Sequence, residues 1–129
     1  MGDVIRVVDE KNAEVYGQKW AQVKKLITSK TAGSKNADLG ILRLQPKKKT
    51  VPNIHPESEE LFYILKGKGT LTVGQETKEI KAGQGVYIPP NVTHTFENTD
   101  EEIMEFLLIH SPLEPEEEIK GSPWAEEHA

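Results

Sequence analysis

The chain has no cysteine among its 129 residues. Disulfides, thiolate metal sites and a cysteine nucleophile are therefore excluded, and any bound metal has to be held by His, Glu, Asp, Asn or water. Also missing is a hydrophobic run approaching the roughly 20 residues that cross a bilayer. The opening MGDVIRVVDE has no basic region followed by an apolar stretch, so no secretory leader is expected, and the Asn91-Val92-Thr93 acceptor pattern is discounted with it. The expectation is a soluble, cytoplasmic protein with no membrane partner.

Positive charge is in deficit, with 16 Lys and Arg against 21 Asp and Glu and a formal net charge of -5. Affinity for nucleic acid comes mainly from clustered basic residues, so no nucleic-acid partner is expected. The single basic run, Lys47-Lys48-Lys49 between Pro46 and Pro52, reads as a solvated turn. No Gly-x-Ser-x-Gly elbow is present, which leaves serine hydrolase chemistry without its nucleophile. Helical signals are scarce as well. Only Asp9 to Gln18 and the tail PLEPEEEIKGSPWAEEHA invite a helix, and the prolines and glutamates of the tail favour an extended arm with Trp124 as its one large apolar anchor.

What the sequence does contain is a series of short apolar or alternating runs separated by turn signals: VIRVV at 4–8, WAQVKKLIT at 20–28, DLGILRLQ at 38–45, LFYILK at 61–66, TLTV at 70–73, KEIK at 78–81, VYIP at 86–89, HTFEN at 94–98 and IMEFLLIH at 103–110. Short strands punctuated this evenly indicate an all-β sandwich or barrel. Gly74-Gln75 offers the positive φ of a tight hairpin. The Lys66-Gly67-Lys68-Gly69 stretch is a plain turn, because no helix follows it to present amides to a phosphate.

Side chains alternate faces along a strand. In PNIHPESEELFYILKG, residues 52–67, Asn53 and His55 then share a face. Glu60, Phe62 and Ile64 share another, opposite Leu61, Tyr63 and Leu65. Both faces of this strand are apolar, so both need cover. The outward set calls for an N-terminal strand over it or a homodimer face. Much later, in GQGVYIPPNVTHTFEN at 83–98, His94, Phe96 and Asn98 fall together.

These two stretches resemble the paired motifs of the cupin family. In the first motif a His-any-His pair precedes a glutamate and then a glycine; His55 falls on the second histidine, Glu60 on the glutamate and Gly67 on the glycine. In the second, Gly83, Pro89, His94 and Asn98 stand at the family spacing. The resemblance implies an all-β double-stranded β-helix, or jelly-roll barrel, over 1–112 with its core at about 38–110, followed by a Pro/Glu-rich tail at 113–129. It further implies one divalent transition metal held by His55, Glu60 and His94, with Phe62, Ile64 and Phe96 as a dry pocket wall. Imidazole with carboxylate suits Fe, Mn, Ni, Co or Zn, whereas Mg or Ca would take an all-oxygen site.

Two positions depart from the pattern. Asn91 replaces a glycine, a mild change because asparagine tolerates left-handed backbone. Asn53 replaces the first histidine, so a strong nitrogen donor becomes a neutral amide. What remains is a two-histidine, one-carboxylate set that leaves positions open for O₂ and a chelating substrate. Asn53 then ligates weakly through its amide oxygen or through water, orients a substrate, or marks a site that has lost its metal. Glu57 and Glu59 read as loop charges, with Glu59 the substitute ligand. His110, at a strand end, reads as hydrogen-bonded there or as a supporting group. Tyr63, Tyr87 and Trp20 pack, and His128 sits in the tail.

Cupins share a fold across many activities, and three functions follow. The first is a small metal-dependent enzyme, similar to a dioxygenase, isomerase or decarboxylase, acting on a small oxygen-bearing molecule. The second is a non-catalytic module that binds or senses a sugar or carboxylate. The third is a structural cupin with a degenerate site.

Overall fold

A computed structural model of the chain describes residues 4–112; the tail, with Trp124 and His128, lies outside the described residues. After a short 3₁₀ turn at Glu10–Asn12 come nine strands: β1 (Glu14–Gln18), β2 (Ala21–Ile27), β3 (Asp38–Leu44), β4 (Glu59–Lys66), β5 (Lys68–Val73), β6 (Glu76–Lys81), β7 (Gly85–Ile88), β8 (His94–Asn98) and β9 (Met104–Ser111). They form a six-stranded sheet in the order β1-β2-β3-β9-β4-β7 and a three-stranded sheet in the order β6-β5-β8. All pairings are antiparallel. The strands agree with the all-β sandwich or barrel expected from their pattern, and the fold is the jelly roll that the family resemblance implies. Among the described residues no helix is long and apolar enough to cross a membrane.

Strand alternation builds the interior. β3 and β9 alternate buried and half-buried positions along their whole length. The buried phase of each, Leu42, Leu44, Met104, Phe106 and Leu108, meets Phe62 and Ile64 of β4 and Phe96 of β8. Phe96 packs edge-on against Phe62 with centroids 4.8 Å apart and at a tilt against Phe106 at 4.7 Å. Burying each such side chain stabilises the fold by about 1.5–3 kcal/mol. The β5–β6 hairpin closes through Gly74-Gln75, with Gly74 at φ 60° and Val73 paired to Glu76. Asn91 takes the left-handed conformation, at φ 62°.

Two segments differ from their sequence pattern. Residues 4–8 read as an apolar strand run but form no strand, and Val4 and Ile5 are almost wholly exposed. A strand needs partner backbone to pair with, and what the segment shows instead is a side-chain tether, Arg6 donating to the Ala32 carbonyl at 2.7 Å. The polar stretch 9–18 instead ends as β1, pairing residue for residue with β2. Its turn is pinned by Arg43, whose Nη1 and Nη2 donate to Glu10 at 2.6 and 3.0 Å while Nε donates to Glu105 at 2.8 Å.

The outward face of β4 is left bare. Leu61, Tyr63 and Leu65 are 41%, 46% and 44% exposed, so the expected N-terminal cover is not realised among the described residues. The register extends this face sideways into two apolar rows, Leu39–Ile109–Leu61–Tyr87 and Ile41–Leu107–Tyr63.

Candidate metal centre

The register that packs the core also assembles a polar row at one end of it. Asp38 on β3 stands opposite His110 on β9, which stands opposite Glu60 on β4. All three follow the inward phase of their strands and are buried to about 3% exposure. From the second sheet comes His94, the first residue of β8. The Asn53 backbone is joined to His94 by reciprocal N–H···O bonds of 3.1 and 2.9 Å. Two residues on, His55 is buried while Ile54 between them is exposed. The Asn91 N–H donates to the His55 carbonyl at 2.8 Å, so the left-handed turn of the second motif holds the first.

Glu60 is the hub. Its Oε1 lies 2.9 Å from His94 Nε2 and 3.2 Å from His55 Nε2, and its Oε2 lies 2.9 Å from His110 Nε2. The ring centroids of His55 and His110 are 4.8 Å apart, and those of His55 and His94 5.5 Å. Burial opposes ionisation of Glu60, but the adjoining imidazoles of His110, His94 and His55 outweigh it and hold the carboxyl well below the usual range.

This arrangement fits a metal. His110 Nδ1 lies 3.1 Å from Asp38 Oδ1, and His94 Nδ1 lies 3.3 Å from the Val92 carbonyl oxygen. With the proton on Nδ1 in each ring, each Nε2 turns a lone pair toward the Glu60 carboxylate. Two electron-rich atoms at such short range need a cation between them or a proton on the ring. Donor atoms each about 2.1 Å from one ion and at right angles lie roughly 3.0 Å apart, close to the observed spacings. Glu60 Oε1 has no hydrogen-bond partner of good geometry. One donor atom from each of His55, Glu60 and His110 falls within 4.8 Å of the others, and the short His94–Glu60 contact brings a fourth group alongside.

The centre opens onto a small cavity of about 30 Å³. Phe62, Phe96, Leu108, Leu42 and Val23 form its apolar wall, and Lys25, Asn53 and the three histidines its polar part. Lys25, inward on β2, is 3% exposed, and its ammonium lies 3.5 Å from Asp38 Oδ2. A polar chain therefore runs Lys25–Asp38–His110–Glu60.

The sequence-predicted residues divide. His55, Glu60 and His94 come together with Phe62 and Phe96 beside them. Ile64 does not line the cavity: it is fully buried one step further along β4, opposite Phe106. Glu59 faces the other way, accepting from the Tyr87 hydroxyl at 2.9 Å, because neighbouring residues of a strand point to opposite faces. Glu57 is exposed. His110 stands inside the centre rather than beside it, and Lys25 and Asp38 went unmarked in the sequence. The signal they carried was phase: each continues the inward alternation of an apolar run, Lys25 after Ala21 and Val23, Asp38 before Leu42 and Leu44, His110 after Phe106 and Leu108. Asn53 places its amide oxygen 2.9 Å from the Ile54 N–H.

Comparison with known proteins agrees with the fold. A family model described as a cupin domain matches residues 40–110. The chain is 31% identical over 110 residues to the polyketide synthase CurC of Streptomyces cyaneus, covering 85% of this chain and 71% of that protein. Among solved structures it superposes on the polyketide cyclase RemF from Streptomyces resistomycificus with a TM-score of 0.71 at 23% identity, over 87% and 82% of the two chains. A predicted oxalate decarboxylase from Thermotoga maritima gives 0.70 at 22% identity, over 83% of this chain and 99% of that one. At these identities the two structures speak for the fold alone.

Proposed function

The chain belongs to the cupin family, and on that premise we propose that it is a small metal-dependent enzyme acting on a small oxygen-bearing molecule. His55, Glu60, His94 and His110 would hold one divalent transition ion. The observation that carries this reading is the buried Glu60 carboxylate with three imidazole nitrogens within 3.2 Å. When bound, such an ion supplies Lewis acidity or a site for O₂.

The chain's own residues supply the rest. Asp38 and the Val92 carbonyl fix the tautomers of His110 and His94. Glu60 neutralises part of the ion's charge. Phe62, Phe96 and Leu108 keep the cavity dry, which strengthens electrostatic interactions inside it. The small cavity supports a small substrate. The relative CurC, 31% identical, is named a polyketide synthase, which supports catalysis over binding alone.

Purified protein is expected to carry close to one transition-metal ion per chain by elemental analysis, and His94→Ala is expected to lose most of it. Full occupancy in that variant would remove His94 from the ligand set. Oxygen uptake and product analysis with small keto acids, catechols and thiols separate an enzyme from a binding module, which would bind saturably without turnover.

The two apolar rows on the outer sheet face support a homodimer. A symmetric pair of copies covers the same patch on both at once, and a face this apolar is costly to leave in water. Tyr63→Glu is expected to convert the dimer to a monomer in light scattering; a wild-type monomer at micromolar concentration would sink the proposal.

A further inference from the structure

The asparagine that stands where the family has a histidine keeps a buried polar atom that neither the protein nor a metal can satisfy. Asn53 is 6% exposed and lines the cavity. Its backbone N–H and carbonyl are both bonded to His94, and its Oδ1 accepts the Ile54 N–H at 2.9 Å. Its Nδ2 is buried with no hydrogen-bond partner. The orientation follows from chemistry: turned over, the amide would set its N–H₂ against the Ile54 N–H, donor against donor. The atom left over is therefore a donor, and an amide N–H₂ has no lone pair to give a metal.

A buried donor without a partner costs about 1–3 kcal/mol, and native structures retain such groups where a ligand satisfies them. A second observation points to the ligand's charge. Lys25 brings an ammonium to the same cavity wall, backed by Asp38 at 3.5 Å. Lys25 and Asp38 cancel each other. A divalent ion with Glu60 and neutral imidazoles leaves one positive charge, and buried charge has to be balanced.

Resting on the metal-centre reading above, we infer that Asn53 is a substrate-binding residue rather than a metal ligand: its Nδ2–H donates to an oxygen of a small monoanion, a carboxylate or enolate, bound at the ion. Replacing histidine by asparagine at this position exchanges a ligand for a hydrogen-bond donor and frees a coordination position for the anion.

The test uses zinc-loaded full-length protein, calorimetry with pyruvate and with its neutral near-isostere butane-2,3-dione, and metal affinity from competition with a chromophoric chelator. Pyruvate is expected to bind about tenfold or more tighter than the dione. Asn53→Ala is expected to weaken pyruvate about tenfold, as for loss of a hydrogen bond to a charged group, with zinc affinity changed by less than about twofold. Asn53→Asp, isosteric but without the donor, is expected to weaken pyruvate by about tenfold or more while tightening zinc. Both variants keep the backbone bonds to His94. Zinc affinity falling tenfold in Asn53→Ala would make Asn53 a ligand and overturn the inference while leaving the metal centre standing. Pyruvate affinity unchanged in both variants, or no pyruvate binding to the zinc-loaded parent, overturns it as well. A parent that takes up no metal overturns the centre, and this inference with it.

Discussion

The two ends of the barrel interior are built by the same strands and serve opposite purposes. Along β9 the inward positions run Met104, Phe106, Leu108 and then His110; along β4 they run Ile64, Phe62 and then Glu60. β8 repeats the change from Phe96 to His94, and β3 from Leu42 to Asp38. One end is close-packed and dry. The other gathers two carboxylates, three imidazoles and an ammonium within a few ångströms. A single register delivers both, because a cross-strand row that places Leu42, Phe106 and Ile64 together must, four residues further on, place Asp38, His110 and Glu60 together. The difference teaches that stability and chemistry are separated by position along the strands rather than by element.

That separation can be broken experimentally. Phe106→Ala, at the dry end, removes a fully buried ring and should cost about 3–5 kcal/mol, read as a large fall in melting temperature. Metal affinity of the protein that remains folded should hold; a parallel loss would mean the two ends are not separable. Asp38→Asn, at the polar end, should do the converse. It weakens the orientation of His110 and should lower metal affinity by about tenfold or more. It also leaves Lys25 without its carboxylate, so some stability is lost, but less than in Phe106→Ala.

The smallest effect is expected outside the barrel, at Glu10. Hydrogen bonding to Arg43 works against a smaller cost of burial; with the charges of Arg43 and Lys24 it lowers the Glu10 carboxyl to about 2. A depressed folded-state value means that its contribution is complete above the ordinary glutamate range near 4.5 and fades as pH falls through about 2. Its side chain is 39% exposed, so solvent screening keeps the contribution to about 0.5 kcal/mol. Glu10→Gln should therefore shift neutral-pH stability slightly and leave metal affinity alone, and the gap to wild type should close in strong acid. An effect as large as that of Asp38→Asn would show that the outer ion pair supports the centre.

Much of the molecule was legible in one dimension. Eight of the nine strands follow apolar or alternating runs, and the two motifs carry His55, Glu60 and His94 at spacings that put each on an inward face. β1 was not legible, since the polar stretch EVYGQ becomes a strand only because β2 offers it an edge. The VIRVV segment errs the other way, an apolar run that reads as a strand and pairs with none among the described residues.

The sequence by itself determined which residues face inward, because the alternation of a strand is a local property of its backbone, and it placed His55 and Glu60 in the first motif and His94 in the second. Only the tertiary structure decided that Asp38, Glu60 and His110 form one row, since three strands remote in the chain must pair in register before their ends align. It alone also decided the role open to Asn53. Whether an amide offers its oxygen or its nitrogen depends on which neighbouring group takes the other, and here the Ile54 N–H takes the oxygen.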